Sequence, residues 1–121
     1  MRPATHRVCV VLFAVVVAAL AGCRRGVDAV AARAEVGDAP VVLLSTSWCG
    51  YCSKLRNDLA LWGVSHSEFD VEASAEGRRA YHLVGGRGVP ILLIGDQVVH
   101  GYAPDRAREL IAAAGLGAAS D

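Results

Sequence analysis

The chain has 121 residues, of which 54% are hydrophobic, and its twelve Lys and Arg side chains balance twelve Asp and Glu side chains. This length allows at most one small domain, and the balanced charge gives no basic surface for nucleic acid. Much of the hydrophobic excess lies before residue 24, and without residues 1–22 the chain has ten basic and twelve acidic side chains, a net charge of about −2.

The N-terminus has the pattern of a secretory signal. Two arginines precede an uncharged run from Val8 to Gly22, which ends in small residues before a cleavage point. The sequence Leu20-Ala21-Gly22-Cys23 resembles the bacterial lipobox. This resemblance implies that residues 1–22 are removed as a lipoprotein signal peptide and that Cys23 becomes the lipidated first residue.

An uncleaved membrane helix is the alternative for this segment. The apolar run from Val8 to Cys23 is shorter than the roughly 20 residues that span a bilayer, which counts against that alternative. Either arrangement tethers the protein to the outer side of the cytoplasmic membrane or, after sorting, to the outer membrane. We therefore predict a lipid-anchored protein of the bacterial cell envelope that faces the periplasm.

The segment that follows, residues 23–39, is rich in Ala, Arg and Gly and is predicted to be a lipidated tether. It contains one helical stretch from Asp28 to Val36, for which Asp28 can act as the N-cap. We expect this segment only to space the folded domain, residues 40–116, from the bilayer. Residues 117–121 are small and form a frayed tail.

The folded domain is predicted to begin with a buried strand that leads into a cysteine pair. Val41 to Leu44 is a continuous run of Val and Leu, typical of a strand covered on both faces. The sequence Cys49-Gly50-Tyr51-Cys52 follows it and opens an amphipathic helix that Gly63 ends. Two cysteines at this spacing can close a disulfide or open to a dithiol.

The expected helix start makes the first of these cysteines the reactive one. A thiol in the first helical turn is favoured as the thiolate by unpaired backbone N–H groups and by the helix dipole. Such thiols titrate at roughly 3.5 to 7.5 instead of about 8.5. We therefore predict redox chemistry in which Cys49 is the nucleophile and Cys52 resolves the mixed disulfide.

Half a zinc site and a structural disulfide are the alternatives for this pair. Zinc needs a second pair of ligands, and the only other cysteines, Cys9 and Cys23, lie in the targeting segment. The mature chain has three histidines, none at a paired metal spacing, so we predict no metal site; they are His66, His82 and His100.

The remaining elements follow in a regular order. A second strand is expected over residues 65–71, with Val64 and Phe69 in the core, and a helix capped by Ser74 runs to about Val84. A glycine-rich break precedes a third strand over residues 89–94, a Gly95-Asp96 turn and a fourth strand over residues 97–100. The last helix begins at Pro104 and ends at Gly115. The order β-α-β-α-β-β-α predicts an α/β fold in which helices flank a four-stranded mixed sheet.

From Pro40 to Gly115 the sequence resembles the thioredoxin-fold superfamily, and within it the glutaredoxin-like branch. The motifs that carry the resemblance occur in the expected order: Trp48-Cys49-Gly50-Tyr51-Cys52 after the first strand, Val89-Pro90 before the third, Gly95-Asp96 in the hairpin and Gly101-Tyr102 before the last helix. The resemblance implies a cis peptide bond before Pro90, opposite the cysteines. It also implies that the backbone of Val89 pairs with an extended substrate segment, a form of strand addition.

The substrate-contacting residues expected on this basis are Trp48, Tyr51, Val89, Pro90, Gly101 and Tyr102. The two aromatic residues at the helix start either shape the contact surface or serve as packing. Arg87 and Lys54 either supply positive charge near the thiolate or are ordinary surface cations.

Two departures from the family pattern leave the use of glutathione open. Glutaredoxins commonly carry a lysine just before the cysteine motif and an Asp-rich stretch before the last helix, and both hold glutathione. Here these positions are Thr46-Ser47-Trp48 and Gly101-Tyr102-Ala103-Pro104. A third departure is from the thioredoxin pattern. Thioredoxins usually bury an acid in the strand before the motif as a proton relay, and residues 41–48 contain no carboxylate.

Two functions are compatible with these observations. The first is a thiol-disulfide oxidoreductase without a bound cofactor, a monomer whose partners are protein or small-molecule thiols and disulfides and a possible membrane electron-transfer protein. The second is a binding module of the same fold, in which Cys49 and Cys52 hold a partner thiol or copper(I), or bridge an Fe–S cluster, without turnover. The direction of electron flow stays open. A reductant in the oxidising periplasm needs electrons delivered across the membrane, and an oxidant needs a partner that reoxidises it.

Overall fold

The computed structural model describes residues 27–117, so the predicted signal peptide, Cys23 and the tail beyond Gly117 lie outside the described residues. It contains four helices and four strands. In chain order these are α1 (Ala29–Val36), β1 (Val41–Ser45), α2 (Gly50–Leu61), β2 (Ser67–Asp70), α3 (Ala75–Leu83), β3 (Ile91–Ile94), β4 (Gln97–His100) and α4 (Pro104–Ala113). None of the helices within residues 27–117 has the length and apolar character needed to cross a membrane.

The four strands form one mixed sheet in the order β2-β1-β3-β4. β1 is parallel to β2 and antiparallel to β3, and β3 pairs with β4 as an antiparallel hairpin. Every residue of β1 and β3 is buried, as expected for central strands covered on both faces. The predicted α/β fold of the thioredoxin and glutaredoxin type is confirmed.

Alternate residues of β1 build two separate cores. Val41 and Leu43 point to one face, where they pack with the apolar sides of α2 and α4, including Leu55, Leu59 and Ile111. The opposite face packs against α1 and α3 and consists of Ala32, Val36, Val42, Leu44, Ala80, Val84, Ile91 and Leu93. Because β1 contributes to both cores, its end is fixed in position, and the cysteine motif follows that end directly.

Helix α1 is part of the folded domain. Asp28 caps it, since its Oδ1 accepts a hydrogen bond from the backbone N–H of Ala31 at 2.9 Å, as predicted. Ala32 and Val36 are buried against α3, and Arg79 Nε donates to Glu35 Oε2 at 2.7 Å. The expectation that residues 28–39 only space the domain from the bilayer is therefore wrong for this helix. Its small side chains on one face let it approach α3 closely.

Most other element boundaries agree with the sequence pattern. Ser74 Oγ accepts from Gly77 N at 3.0 Å, and Pro104 is the first residue of α4. Gly63 and Gly115 follow the ends of α2 and α4 with φ of 67° and 70°, a conformation that favours glycine. The two expected strands over residues 65–71 and 89–94 are shorter than predicted. The ladder of β3 begins only after Pro90, which has no N–H to donate.

The contribution of α1 to stability can be tested with two valines of the same helix. Val36→Ala removes buried methyl groups, so we expect the free energy of unfolding to fall by about 1 to 2 kcal/mol in urea titrations. Val30 is 69% exposed. Val30→Ala should therefore change stability by less than about 0.5 kcal/mol. Equal, small effects of the two changes would show that α1 does not belong to the cooperative unit.

Candidate active site

The cysteine pair lies where β1 ends and α2 begins. Cys49 is the N-cap of α2, with extended backbone angles (φ −81°, ψ 111°), and its Sγ accepts a hydrogen bond from the backbone N–H of Cys52 at 3.1 Å. The two Cα atoms are 5.2 Å apart and the sulfurs form a disulfide. The sequence placed Cys49 within the first helical turn, and the structure places it one position earlier, at the cap.

The two sulfur-bearing residues differ in accessibility. Cys49 retains 7% of its surface, whereas Cys52, in the first turn of α2, is completely buried. Of the two residues, only Cys49 thus offers any surface to a visiting thiol or disulfide. The roles in which Cys49 attacks and Cys52 resolves stay predictions.

The start of α2 also provides the electrostatic setting that a thiolate needs. The first turn of this 12-residue helix contains no acidic side chain. Unpaired N–H groups and the positive end of the helix dipole therefore act on the Cys49 sulfur without a competing carboxylate in that turn. Once the disulfide is opened, we expect the same N–H of Cys52 to stabilise negative charge on Cys49.

The Val89-Pro90 segment lies directly beside the reactive sulfur. The Val89-Pro90 peptide bond is cis, as the resemblance implied, and Cys49 Sγ is 3.8 Å from the carbonyl oxygen of Val89. Pro90 is buried, and its carbonyl oxygen accepts from Gly101 N at 2.8 Å. The structure thus brings together four of the predicted residues: Cys49, Val89, Pro90 and Gly101.

Trp48 and Tyr51 form surface on either side of the disulfide. They are 70% and 62% exposed, so they are available for contact with a partner and are not core packing. Trp48 is fixed by a hydrogen bond from its Nε1 to Glu72 Oε1 at 3.1 Å. Glu72 was not identified from the sequence, since this contact joins residues 24 positions apart.

Tyr102 extends the aromatic surface on the Tyr51 side. The two tyrosine rings are 5.5 Å apart, and Lys54 Nζ lies 5.0 Å from the centre of the Tyr102 ring. Tyr102 OH donates to Asp58 Oδ2 at 2.6 Å, and this bond raises the pKa of Tyr102 because the neighbouring carboxylate disfavours the phenolate. Lys54 therefore packs on an aromatic ring. The spacing of Tyr51, Lys54 and Asp58 places them on one face of α2, a signal that the sequence contained.

Two hollows flank the disulfide. A groove of about 300 Å³ has Thr46, Trp48 and Val89 on the side of the cysteines, and Val71, Glu72, Arg78, Tyr81 and His82 complete its lining. A second, more open hollow of about 440 Å³ is lined by Gly50, Tyr51 and Lys54. The exposed part of the site thus continues in two directions from Cys49.

A network of charged and polar side chains joins α2, β2 and the end of β1 next to the cysteine motif. Arg56 on α2 donates from Nε to Glu68 Oε2 at 2.8 Å, and its Nη2 also contacts Glu68 Oε1; Ser45 Oγ at the end of β1 donates to the same carboxylate at 2.7 Å. The Arg56 hydrogen bonds lower the pKa of Glu68, with a smaller contribution from Ser45. Glu68 therefore ties the end of β1 to the helix that carries the cysteines.

The two segments in which glutaredoxins commonly carry glutathione-binding residues depart from the family pattern here, as the sequence indicated. Thr46 is a neutral, buried residue in the segment where the family carries lysine. Ala103, at the N-cap of α4, makes no side-chain capping hydrogen bond, and Asp105 is the acidic residue in the first turn of that helix. Arg87, the other cation considered from the sequence, is exposed in the glycine-rich loop.

Comparison with known proteins agrees with the fold and the cysteine geometry. The family model for glutaredoxin matches residues 41–99. Among curated protein sequences, none matches the chain significantly. The chain therefore has the thioredoxin/glutaredoxin fold, and its segment 41–99 matches the glutaredoxin model.

Three solved structures illustrate the similarity. A buckwheat glutaredoxin in complex with glutathione has a TM-score of 0.59 at 22% identity, covering 75% of this chain and 93% of that one. A glutaredoxin from Archaeoglobus fulgidus has a TM-score of 0.56 at 25% identity, covering 64% and 91%. The glutaredoxin-like NrdH-redoxin from Escherichia coli has a TM-score of 0.54 at 21% identity, covering 58% and 92%. With the Cys49–Cys52 pair at disulfide distance, the findings support a thiol-disulfide redox function.

The supporting network should give a pH-dependent contribution to stability. Because the pKa of Glu68 is lowered in the folded state, its stabilising effect is present above the unfolded value of about 4.3 and is lost as the pH falls through the folded value. Arg56 is 41% exposed, so we expect Glu68→Gln to cost only about 1 kcal/mol at pH 7 and less at pH 3. Urea unfolding at the two pH values measures this difference.

Glu109 provides the matched control for this measurement. It pairs with Arg106 on the exposed side of α4, with 68% of its side chain accessible. Glu109→Gln should therefore change stability little at either pH. A Glu68→Gln effect that is the same at pH 3 and pH 7 would contradict the ionic origin of the stabilisation.

Proposed function

We propose that this protein is a lipid-anchored, periplasmic thiol-disulfide oxidoreductase that exchanges disulfides with other proteins. The observation that carries the redox part is the disulfide at the start of α2, in which Cys49 keeps a small exposed surface and Cys52 keeps none. The lipobox resemblance of Leu20-Ala21-Gly22-Cys23 supports the anchor and the compartment.

In the reducing direction the reaction begins with the dithiol form. The Cys49 thiolate attacks one sulfur of the substrate disulfide, a Cys49–substrate disulfide forms, and the other substrate sulfur leaves as a thiolate. Cys52 then loses its proton and attacks Cys49, which releases the second substrate thiolate and restores the Cys49–Cys52 disulfide. Two electrons pass from the protein to the substrate, and both substrate sulfurs are protonated. The oxidising direction is the reverse.

The surroundings of Cys49 favour an extended peptide as the substrate. Backbone of Val89 next to the sulfur allows strand addition, which aligns a peptide disulfide for attack. The exposed rings of Trp48 and Tyr51 provide apolar contact area on the two sides. The E. coli NrdH-redoxin is described as a glutaredoxin-like protein with a thioredoxin-like activity profile. Because the two segments that commonly hold glutathione depart from the family pattern here, we assign this chain a preference for dithiol donors.

Cysteine variants test the assigned roles. The protein should accelerate the reduction of insulin by dithiothreitol, and Cys49→Ser should abolish this acceleration because no accessible nucleophile remains. Cys52→Ser keeps the nucleophile but cannot resolve, so it should accumulate a mixed disulfide that non-reducing electrophoresis and mass spectrometry detect. Activity of Cys49→Ser equal to that of the unchanged protein would refute Cys49 as the nucleophile.

The anchor is tested in a bacterial host with the full-length chain. The unchanged protein should fractionate with membranes and resist extraction by high salt, because acyl chains bury apolar surface in the bilayer. Cys23→Ser should move it to the soluble periplasmic fraction or leave an uncleaved precursor, whereas Cys9→Ser should leave it in the membrane. We expect lipid labelling of the Cys9→Ser protein but not of the Cys23→Ser protein. The opposite pattern would exclude Cys23 as the lipidation site.

A further inference from the structure

The start of helix α1 lies at the same edge of the sheet as the disulfide. Residues 37–40 alone connect α1 to β1, and so short a link indicates that the helix runs back along the strand, with its first residues where β1 ends. Two contacts place this helix start next to the end of α3. The backbone N–H of Asp28 donates to the carbonyl oxygen of Leu83 at 2.9 Å, and Val27 Cγ2 lies 4.0 Å from the position of a Cβ atom on Gly85.

A short segment leads from that contact to the reactive sulfur. Gly85 and Val89 are four residues apart, which corresponds to at most about 14 Å of extended chain. The carbonyl oxygen of Val89 is 3.8 Å from Cys49 Sγ. The start of α1 and the disulfide therefore share one edge of the domain. We call it the disulfide edge, and it comprises Val27, Val30, Trp48, Cys49, Tyr51 and residues 85–89.

Exposed apolar side chains are concentrated at the disulfide edge. Among residues 27–117, five large hydrophobic side chains are more than half exposed. Leu61 lies away from this edge, because it is the last residue of α2, a 12-residue helix that is about 18 Å long. The other four all lie at the edge: Val27, Val30, Trp48 and Tyr51. Apolar side chains gathered in one exposed region mark an interaction surface.

Basic residues accompany the exposed valines. Arg87 is exposed in the glycine-rich loop, and Arg24 and Arg25 come shortly before Val27 in the sequence. The carboxylate next to the valines is that of Asp28, whose Oδ1 is engaged in capping α1. Arginines strengthen the attraction to a bilayer that contains anionic lipids, and exposed tryptophan and tyrosine rings favour the headgroup region. Both the apolar and the basic side chains therefore suit a lipid surface.

We propose that the disulfide edge faces the bilayer to which the protein is anchored, with Val27, Val30 and Arg87 against anionic phospholipid headgroups. The proposed lipid on Cys23 supports this occupant, because only four residues separate it from Asp28, at the start of α1. The substrate disulfides are then those that a membrane protein holds at headgroup level. This inference rests on the proposed redox function and on the proposed anchor.

The two tryptophans of the chain report the orientation. Trp48 lies at the disulfide edge, and Trp62 follows the far end of α2. The full-length lipidated protein is reconstituted into vesicles of phosphatidylcholine and phosphatidylglycerol that carry a nitroxide quencher on the headgroups. Fluorescence of Trp62→Phe, which retains Trp48, should be quenched about threefold more strongly than that of Trp48→Phe, because the length of α2 holds the two rings roughly 18 Å apart. Equal quenching, or stronger quenching of Trp62, would overturn the proposal.

Two disulfide probes test the consequence for exchange in the same vesicles. A phosphatidylethanolamine with a pyridyl disulfide on its headgroup presents the bond at the bilayer surface, and 2,2′-dipyridyl disulfide presents it in solution. The Cys49 thiolate of the reduced protein attacks the lipid-linked sulfur and pyridine-2-thione leaves. Cys52 then loses its proton and attacks Cys49, which releases the lipid thiolate and forms the Cys49–Cys52 disulfide. Release of pyridine-2-thione measures the rate with either probe.

The double variant Val27→Asp/Val30→Asp should react about fivefold more slowly with the lipid-linked probe, because anionic headgroups repel the new carboxylates. Its rate with the soluble probe should stay unchanged. Acidic side chains suit the start of a helix, so we expect this variant to fold. Leu61→Asp places a carboxylate at the most exposed apolar position, away from the disulfide edge, and should change neither rate.

The contrary outcomes separate this proposal from those on which it rests. An unchanged rate of the double variant with the lipid-linked probe, or an equal loss in Leu61→Asp, would overturn the orientation. Failure of the redox function would look different, because the unchanged protein would then react with both probes only as an ordinary thiol. A full-length protein that does not float with the vesicles would refute the anchor, and the orientation with it.

Discussion

The hydrogen bond from the backbone N–H of Cys52 to the Cys49 sulfur is the interaction around which the site is arranged. This bond forms because β1, a fully buried strand, ends four residues before Cys49, and Cys49 is the N-cap of α2. Packing on both faces of β1 fixes the strand, and the strand in turn fixes the helix start. The electrostatic advantage expected for Cys49 therefore depends on the two hydrophobic cores that hold β1 in place.

The second half of the site comes from a segment about 40 positions further along the chain. The Val89-Pro90 segment enters β3, which is antiparallel to β1, so the start of β3 and the end of β1 meet at one edge of the sheet. This topology brings Val89 to within 3.8 Å of the Cys49 sulfur across 40 positions of sequence. Glu68, Arg56 and Ser45 add a polar link between β2, α2 and β1 behind the disulfide. β1, β2 and the segment that enters β3 thus all contribute to the placement of the Cys49 sulfur.

The sequence predicted the sheet and most helix ends because their signals are local. The Val41 to Leu44 run, the Ser74 cap and the glycines that end α2 and α4 act within a few residues of themselves. The contribution of helix α1 to the core was not predicted. Its alanines give only a weak apolar pattern in the sequence, but their small size permits close packing on α3. The contacts from Trp48 to Glu72 and from Tyr102 to Asp58 join distant segments and follow only from the folded arrangement. The roles of these residues in exchange remain predictions.

The packing of α1 also limits how far the domain could move from the proposed lipid anchor. The folded domain begins at Asp28, so the proposed lipid on Cys23 is separated from it by four residues, Arg24 to Val27. A stretch of that length spans fewer than about 20 Å even when fully extended. With the proposed lipid on Cys23, so short a linker would confine the domain to a thin layer at the bilayer, where its exchange partners would have to be membrane-bound themselves or come to the surface to meet it.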